Sequence, residues 1–539
     1  MSKMNVWFFC FLTGAGYSLS VSNLPDGFPW GSLAWIALLP LHRVLLDVTP
    51  RQGFLRGWLA GFFAFTGTMY WVVVAMNLYG QVPLPISIAV MFLLTLYLGL
   101  FVGVYAWGFV WMEQRWANMA WILAPCLWVS LEFLRTYALS GMPWGLLGYS
   151  QFQWLPIIQI ADITSVYGVS FIIVLANVAV FLLLRWVLAK PKFRAMLPKP
   201  WPTLAATTVV ILGTLHYGSL ALNSSNDSAP TLNVGVVQGN IDQALKWDTA
   251  YRVETLQRYA RLTKTIASDS DVVVWPEAAT PFLFEQEQGY QSLVVDMIMQ
   301  THTPLVFGSP VLRRHADGRP YLLNSAYVLT PEGELTGRYD KQHLVPFGEY
   351  IPLKNILFFL NKLVVGIGDF QPGPGPTLLS ISHGPKKEKI QIGMAICYEV
   401  IFPDLVRQLT KEGANFLVTI TNDAWFGNTV APYQHFAMVV FRSVENRMAF
   451  ARAANTGISG FIDPSGQILA ATPIFTEQAI TQALPLGGPS TFYTRFGDVF
   501  AWACIIITMF LLLFTRFFRK PTAVDTIFQY STSRQPLKE

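Results

Sequence analysis

The sequence predicts a protein in two parts: an α-helical transmembrane bundle of about eight helices, joined to one α/β domain. Three observations predict it. The chain has 539 residues, 53% of them hydrophobic and only 13% charged, with a mean hydropathy of +0.41; an ordinary soluble domain carries about 25% charged residues. The shortage of charge is concentrated in residues 1–222 and near 499–515, whereas 226–490 has the mixed polarity of a globular domain. Within that middle region, short β-rich runs alternate with helical ones.

A bilayer core takes about 20 mostly apolar residues per helix, and candidate spans lie at about 5–21, 29–46, 57–77, 86–112, 119–139, 163–184, 203–222 and 498–516. The second is the least regular, with Pro40 and His42 near its end. The first has Lys3 as its only basic flank and no clear small-residue cleavage site, so it reads as a retained anchor. Basic residues mark alternate loops: Arg43, Arg51 and Arg56; Arg115; Arg185, Lys190, Lys192, Arg194 and Lys199; then Arg516, Arg519 and Lys520. The loop at 78–85 carries no charge. Basic loops stay in the cytoplasm, so about seven crossings (residues 1–222) deliver the domain at 226–490 to the outer face. In a Gram-negative cell that face is the periplasm of the inner membrane. The span at 498–516 returns the tail, 517–539, to the cytoplasm, where 521–539 lacks an apolar pattern and reads as disordered. His42 and Glu132 read as hydrogen-bonding groups within the bundle, and Arg135 as a snorkelling helix-end residue. The net charge of +5 comes with no basic stripe interleaved with aromatics, which argues against a nucleic-acid partner.

In the domain, strands are expected at Leu232–Gln238, Asp271–Trp275, Leu305–Ser309, Asn324–Leu329, Ile390–Ile396, Phe416–Asn422, Ala454–Asp463 and Ile468–Thr472, with helices at Thr249–Ala267 and Tyr433–Phe450. Of four cysteines, Cys10, Cys126 and Cys504 sit in apolar membrane-length segments. Cys397 ends an apolar run, Gln-Ile-Gly-Met-Ala-Ile-Cys-Tyr-Glu, so it is either a reactive thiol or a buried small residue. Two other segments carry unusual polar groups at strand ends. Val-Val-Val-Trp-Pro-Glu ends on Glu277, and Tyr-Asp-Lys-Gln-His-Leu-Val-Pro-Phe-Gly-Glu supplies Lys341 and Glu349. The histidines, His343 and His435 among them, lack metal-ligand spacing, so neither metal nor cofactor is expected.

The Glu277, Lys341 and Cys397 segments, in that order, resemble the Glu-Lys-Cys signature of the nitrilase superfamily. With the helical frame on both sides, nearly the whole chain resembles its membrane-bound apolipoprotein N-acyltransferase family. The resemblance implies an α-β-β-α sandwich for the domain. It implies a phospholipid acyl donor, chiefly phosphatidylethanolamine, a diacylglyceryl lipoprotein as acceptor, the bilayer as platform, and a monomer. Chemically, an ammonium at Lys341 favours a thiolate at Cys397, Glu277 takes the thiol proton, and Lys341 with the Tyr398 N–H meets the developing oxyanion. Glu349, Glu399 and Asn324 are expected to support the site, and Trp247 to bind substrate. Ile351–Phe370, with Phe358 and Phe359, reads as an arm dipping into the membrane interface. Trp425 and Phe426 read as a gating loop hinged at Gly427. A membrane-tethered amidase uses the same three groups, since both reactions reach a thioester first. A scaffold with an inactive domain is the third reading, and the intact Glu277, Lys341 and Cys397 argue against it.

Overall fold

The computed structural model describes residues 2–116, 119–195, 197–223, 229–350 and 370–517. Among these, three helices are long and apolar enough to span a bilayer alone: Leu84–Trp116, Val166–Leu188 and Trp201–Asn223. A fourth span arises if Pro50–Met69 and Trp71–Tyr79, bent by 48°, count as one. Helices Lys3–Ser20, Ala120–Tyr137 and Val499–Phe517 pack against them. Small residues allow close helix contact. A Cβ on Gly57 would lie 2.4 Å from Ala106 Cβ and 2.6 Å from the Val102 carbonyl oxygen.

The expected span at 29–46 is corrected. It folds as a 3₁₀ turn, Trp30–Trp35, and a six-residue helix, Leu39–Val44. Pro29 and Pro40 have no N–H and fit only the opening turns of helices, so the segment breaks into two. The segment still runs the length of the bundle. The Gly31 carbonyl meets Gln151 at the domain end, and the Val48 carbonyl meets Gln114 near the Arg115 end. Asn177 repairs the break, its amide accepting from Leu38 N at 2.9 Å and donating to the Ala34 carbonyl at 2.8 Å. Arg135 is likewise corrected. It does not snorkel outward but is buried, donating to the Trp144 carbonyl at 3.0 Å.

The domain carries twelve strands among the described residues: β1 Thr231–Gln238, β2 Val272–Val274, β3 Leu305–Arg314, β4 Pro320–Leu329, β5 Leu335–Asp340, β6 Leu378–His383, β7 Glu388–Ile396, β8 Phe416–Thr421, β9 Phe450–Ala454, β10 Gly460–Ile462, β11 Ile468–Ala471 and β12 Gln478–Pro485. They form two six-stranded sheets, ordered β12-β1-β2-β3-β4-β5 and β11-β10-β9-β8-β7-β6. Strands β1, β2 and β3 run parallel, as do β7, β8 and β9. The two-residue period of the strands explains the layering. Val234, Val236, Val274 and Val306 meet Ile392, Met394, Val418 and Ile420 between the sheets. Val273, Leu305 and Phe307 face helices Arg252–Ile266 and Gln288–Thr301 on the outer side. Helices Pro403–Lys411 and Ala431–Asn446 cover the other sheet, and their apolar faces share one core with the bundle. The result is an α-β-β-α sandwich with one helical layer against the bundle.

Two domain expectations are corrected. The helix expected to reach Phe450 stops at Asn446, because Arg447 adopts a left-handed φ of +50°, and Phe450–Ala454 is β9. The strand expected at Ala454–Asp463 is the end of β9, a loop and β10. The expected arm, including Phe358 and Phe359, lies outside the described residues except Phe370, which bridges to Leu322. The tail beyond 517 also lies outside them.

Candidate active site

Parallel strands leave their side-chain-bearing turns at the carboxyl ends, and there the two sheets bring the signature residues together. Glu277 follows β2, Lys341 follows β5, and Cys397 follows β7. Lys341 is 1% exposed, and its Nζ donates to Glu349 Oε1 at 2.9 Å and to Glu277 Oε1 at 3.4 Å. Asn324, on β4, donates through Nδ2 to the same two carboxylates, at 2.7 Å to Glu277 and 2.8 Å to Glu349. The second Glu277 oxygen accepts from Asn422 N at 3.0 Å, and Glu349 Oε2 from Val345 N at 2.7 Å. Two carboxylates are thus held together by one ammonium and one amide. Burial alone would pull the Lys341 pKa down, but Glu349 and Glu277, with Cys397, overcome it and hold it above the ordinary lysine value.

Cys397 sits at φ +54°, a left-handed conformation that costs a residue with a Cβ about 1–2 kcal/mol. A strand that continued would bury this side chain in the sheet; the turn aims it into the site. The residue is half-buried, and its thiol senses the charges of Glu277, Lys341 and Asp423. Burial, then Glu277, push its pKa up beyond the usual thiol range, and Lys341 pulls it back only in part. The resting sulfur therefore keeps its proton, which a base must remove.

Glu399 is fully buried and knots the Lys341 loop to the Cys397 turn. Its carboxylate accepts from Gln342 N at 2.6 Å, His343 N at 3.1 Å, Ile396 N at 2.6 Å and the Tyr339 hydroxyl at 3.0 Å. Burial raises its pKa to about 7, against the pull of these donors and Lys341. The Tyr398 hydroxyl donates to the Gly141 carbonyl at 2.9 Å, and His343 Nε2 lies 3.0 Å from the Ser140 carbonyl, so the site rests on a bundle loop.

Around this centre, Trp247 is half-exposed. Trp425 is exposed and meets Tyr79 edge-on at 6.2 Å, while Phe426 is wedged against Trp71 at 4.8 Å and Trp144 at 5.7 Å. Gly427, at φ +59°, closes that turn. Among the described residues, no group of three His, Cys, Asp or Glu side chains is placed to hold a metal ion.

Sequence reasoning missed Lys246, Asn422 and a buried Thr421-Asp423-His435-Arg452 array. Lys246 is 2% exposed, and its Nζ donates to the Glu277 carbonyl at 3.0 Å. Nothing in Leu-Lys-Trp-Asp distinguishes a buried lysine from a solvated one. Thr421 and Asn422 did carry a signal, since they end an apolar strand as Cys397 does.

Comparison with known proteins covers both parts of the chain. Residues 13–179 match the apolipoprotein N-acyltransferase N-terminal domain, and residues 233–489 match carbon-nitrogen hydrolase. The apolipoprotein N-acyltransferase of Geobacter metallireducens is 44% identical over 477 residues, 88% of this chain and 89% of that protein. The chain belongs to the apolipoprotein N-acyltransferase family. The family member of Pasteurella multocida is 31% identical over 500 residues, 91% of this chain and 92% of that protein. Among solved structures, an amidase from Nesterenkonia sp. aligns with a TM-score of 0.35 at 19% identity, over 48% of this chain and 94% of that one.

Proposed function

We propose that this protein is a phospholipid-dependent N-acyltransferase. It moves a fatty acyl chain from a phospholipid, chiefly phosphatidylethanolamine, through a Cys397 thioester onto the α-amino group of the N-terminal cysteine of diacylglyceryl apolipoproteins, the last step of their maturation. The observation that carries the reading is the junction of Glu277, Lys341 and Glu349 beside a thiol on a left-handed turn, placed where the domain meets the bundle.

Glu277 takes the Cys397 proton as sulfur attacks the ester carbonyl carbon. Lys341 and the Tyr398 N–H face the oxyanion. The C–O bond breaks, and Glu277 returns the proton to the leaving lysophospholipid oxygen. The neutral amine of the acceptor then attacks the thioester, Glu277 takes its proton, and the C–S bond breaks. The proton goes back to sulfur, giving an amide and the resting thiol. Glu349 and Asn324 hold Lys341 and Glu277 in place, and Glu399 holds the two loops together. Trp247, Trp425 and Phe426 shield the acyl chain and keep water from the thioester.

Both substrates are amphiphiles, so the reacting groups lie near the headgroups. The bundle crosses the bacterial inner membrane about eight times, counting 29–46 as a broken span, with the domain at 226–490 in the periplasm and residues 517–539 in the cytoplasm. Supporting this, Arg51, Arg115 and Arg185 lie at helix ends remote from the domain. The enzyme works as a monomer.

The test is incubation of purified protein with acyl-labelled phosphatidylethanolamine. Wild type acquires a hydroxylamine-sensitive label, and Cys397→Ser does not. Ammonia release from a small amide, without lipid label, would instead establish an amidase.

A further inference from the structure

A left-handed φ of +54° is unfavourable for a residue with a Cβ, and such a turn persists only where its surroundings hold it. Before Cys397 the hold is Glu399, which accepts from Ile396 N at 2.6 Å. After it comes a histidine that the acyl-transfer steps above do not use. His435, on helix Ala431–Asn446, is buried, and its Nε2 lies 3.3 Å from the Cys397 carbonyl oxygen. To bond there, Nε2 must carry a proton. The other side of the ring suits that tautomer. Arg452 Nη2 has two protons: one goes to Asp423 Oδ2 at 2.6 Å, and the other faces His435 Nδ1 at 3.1 Å. Asp423 Oδ1, also 3.1 Å from Nδ1, has its own donor in the Thr421 hydroxyl at 2.9 Å. The lone pairs of Nδ1 and Oδ1 repel, and the guanidinium charge facing both offsets this. Arg452 Nε in turn donates to the Ile458 carbonyl at 3.0 Å. Asp423 and Arg452 are fully buried. Burial and Arg452 both lower the His435 pKa, which agrees with a neutral imidazole.

Aromatic rings wall the imidazole in. Trp144, from the bundle, lies 5.5 Å from it between ring centres, and Phe426 meets it edge-on at 6.2 Å. What the imidazole holds is a whole peptide plane. The Cys397 carbonyl and the Tyr398 N–H belong to one trans peptide and point opposite ways. A bond that fixes the carbonyl therefore fixes the N–H, and polarises it. We propose that His435 is a positioning residue for the oxyanion site: holding the Cys397 carbonyl through Nε2–H, it aims the Tyr398 N–H at the oxygen on which charge develops. The role rests on the acyl-transfer reading above. His435 forms no bond to substrate, and its proton stays on Nε2 while the sulfur passes from thiol to thioester and back.

The experiment compares two reactions of Cys397 in the full-length detergent-solubilised protein, with Cys397→Ser as the blank. Acyl-adduct formation from labelled phosphatidylethanolamine passes through an oxyanion; alkylation by iodoacetamide does not. His435→Asn keeps a short amide beside Asp423 and Arg452 but falls short of the carbonyl. His435→Gln carries an amide N–H to about where Nε2 stood. Losing one oxyanion donor costs about 100- to 1000-fold, so the Asn variant is expected to form adduct about a hundredfold slower at saturating lipid, with its half-saturating lipid concentration unchanged. Its alkylation is expected to slow by less than about tenfold, and Gln to recover most of the adduct rate. Should Asn fail to fold, as judged by its thermal transition, His435→Met, close to Gln in size and without a donor, takes its place. A donor-free variant that forms adduct like wild type overturns the proposal. So does equal loss in both reactions, which marks a general packing role, or Gln as slow as the donor-free variant. Wild type that takes no acyl label but releases ammonia from a small amide would sink the acyl-transfer reading. The same comparison on that amide then decides the role of His435, because attack on an amide also forms an oxyanion. With neither reaction in wild type, both fall.

Discussion

Burial acts alike on Lys246 and Lys341, yet their pKa values move in opposite directions. Lys341 faces two carboxylates, whereas Lys246 has a single backbone carbonyl at 3.0 Å and more distant help from Glu277 and Cys397. Burial therefore wins at Lys246 and lowers its pKa from 10.5 to about 8. The folded state disfavours the ammonium, so this group contributes stability above about pH 10.5, which is lost as pH falls through about 8. At about 1.4 kcal/mol per pH unit, the full swing is on the order of 3 kcal/mol. Thermal unfolding of wild type and Lys246→Met across pH 7.5–11 checks this. The wild-type advantage is expected to grow with rising pH, and a constant difference would remove the buried-ammonium account. Glu277 and Cys397 were legible because each follows an apolar strand, and Lys341 through the motif that carries it. Lys246 was not, since its burial depends on the Glu277 turn folding over it.

Turns at strand ends do the positioning, and they have little slack. Gly308 on β3 lies beneath the Glu277 turn. A Cβ there would lie 2.6 Å from Ala278 N, 2.7 Å from Glu277 Cα and 2.8 Å from the Pro276 carbonyl oxygen. Backbone cannot yield as a flexible side chain does, so Gly308→Ala must displace Glu277. A shift of about 1 Å in a reacting group costs about a hundredfold in rate. Acyl-adduct formation in Gly308→Ala is expected to fall by that order with the protein still folded; an unchanged rate would show that the Glu277 position tolerates movement. At this scale the inner strands were legible from their apolar runs. Strands β5, β6 and β12 were not, because they are partly exposed and mix polar with apolar residues, as turns do. The helix expected to reach Phe450 overshot because apolar content continues past Asn446; the left-handed Arg447 that stops it bonds to Asp162 and Gln159, far away in the chain.

Domain and bundle behave as one piece because polar side chains cross their junction while fully buried. Arg442 donates to the Tyr149 hydroxyl at 3.1 Å and to Glu445 Oε1 at 2.9 Å, and that oxygen also accepts from the Ser165 hydroxyl at 2.6 Å. Trp144 Nε1 donates to Gln434 Oε1 at 2.7 Å. With the domain fixed to one end of the bundle, the proposed periplasmic placement can be tested by access from outside the cell. Protease added to spheroplasts with intact membranes is expected to cut the domain, for instance at the exposed Asp317–Arg319 turn, and to spare an epitope placed after residue 539. The reverse pattern would overturn the periplasmic placement.

Taken alone, the residue order determined which segments avoid water, where the α/β domain lies, and which carboxylate, ammonium and thiol belong to one signature. The first two are local, following from runs of apolar side chains, and the third rests on the resemblance of the three motifs to the nitrilase signature. The broken path of 29–46, the shared grip of Lys341 and Asn324 on two carboxylates, and the array behind Cys397 were decided only by the tertiary structure. Each depends on groups far apart in the chain meeting in a space without water, where a buried polar atom must find its partner in whatever the fold brings beside it.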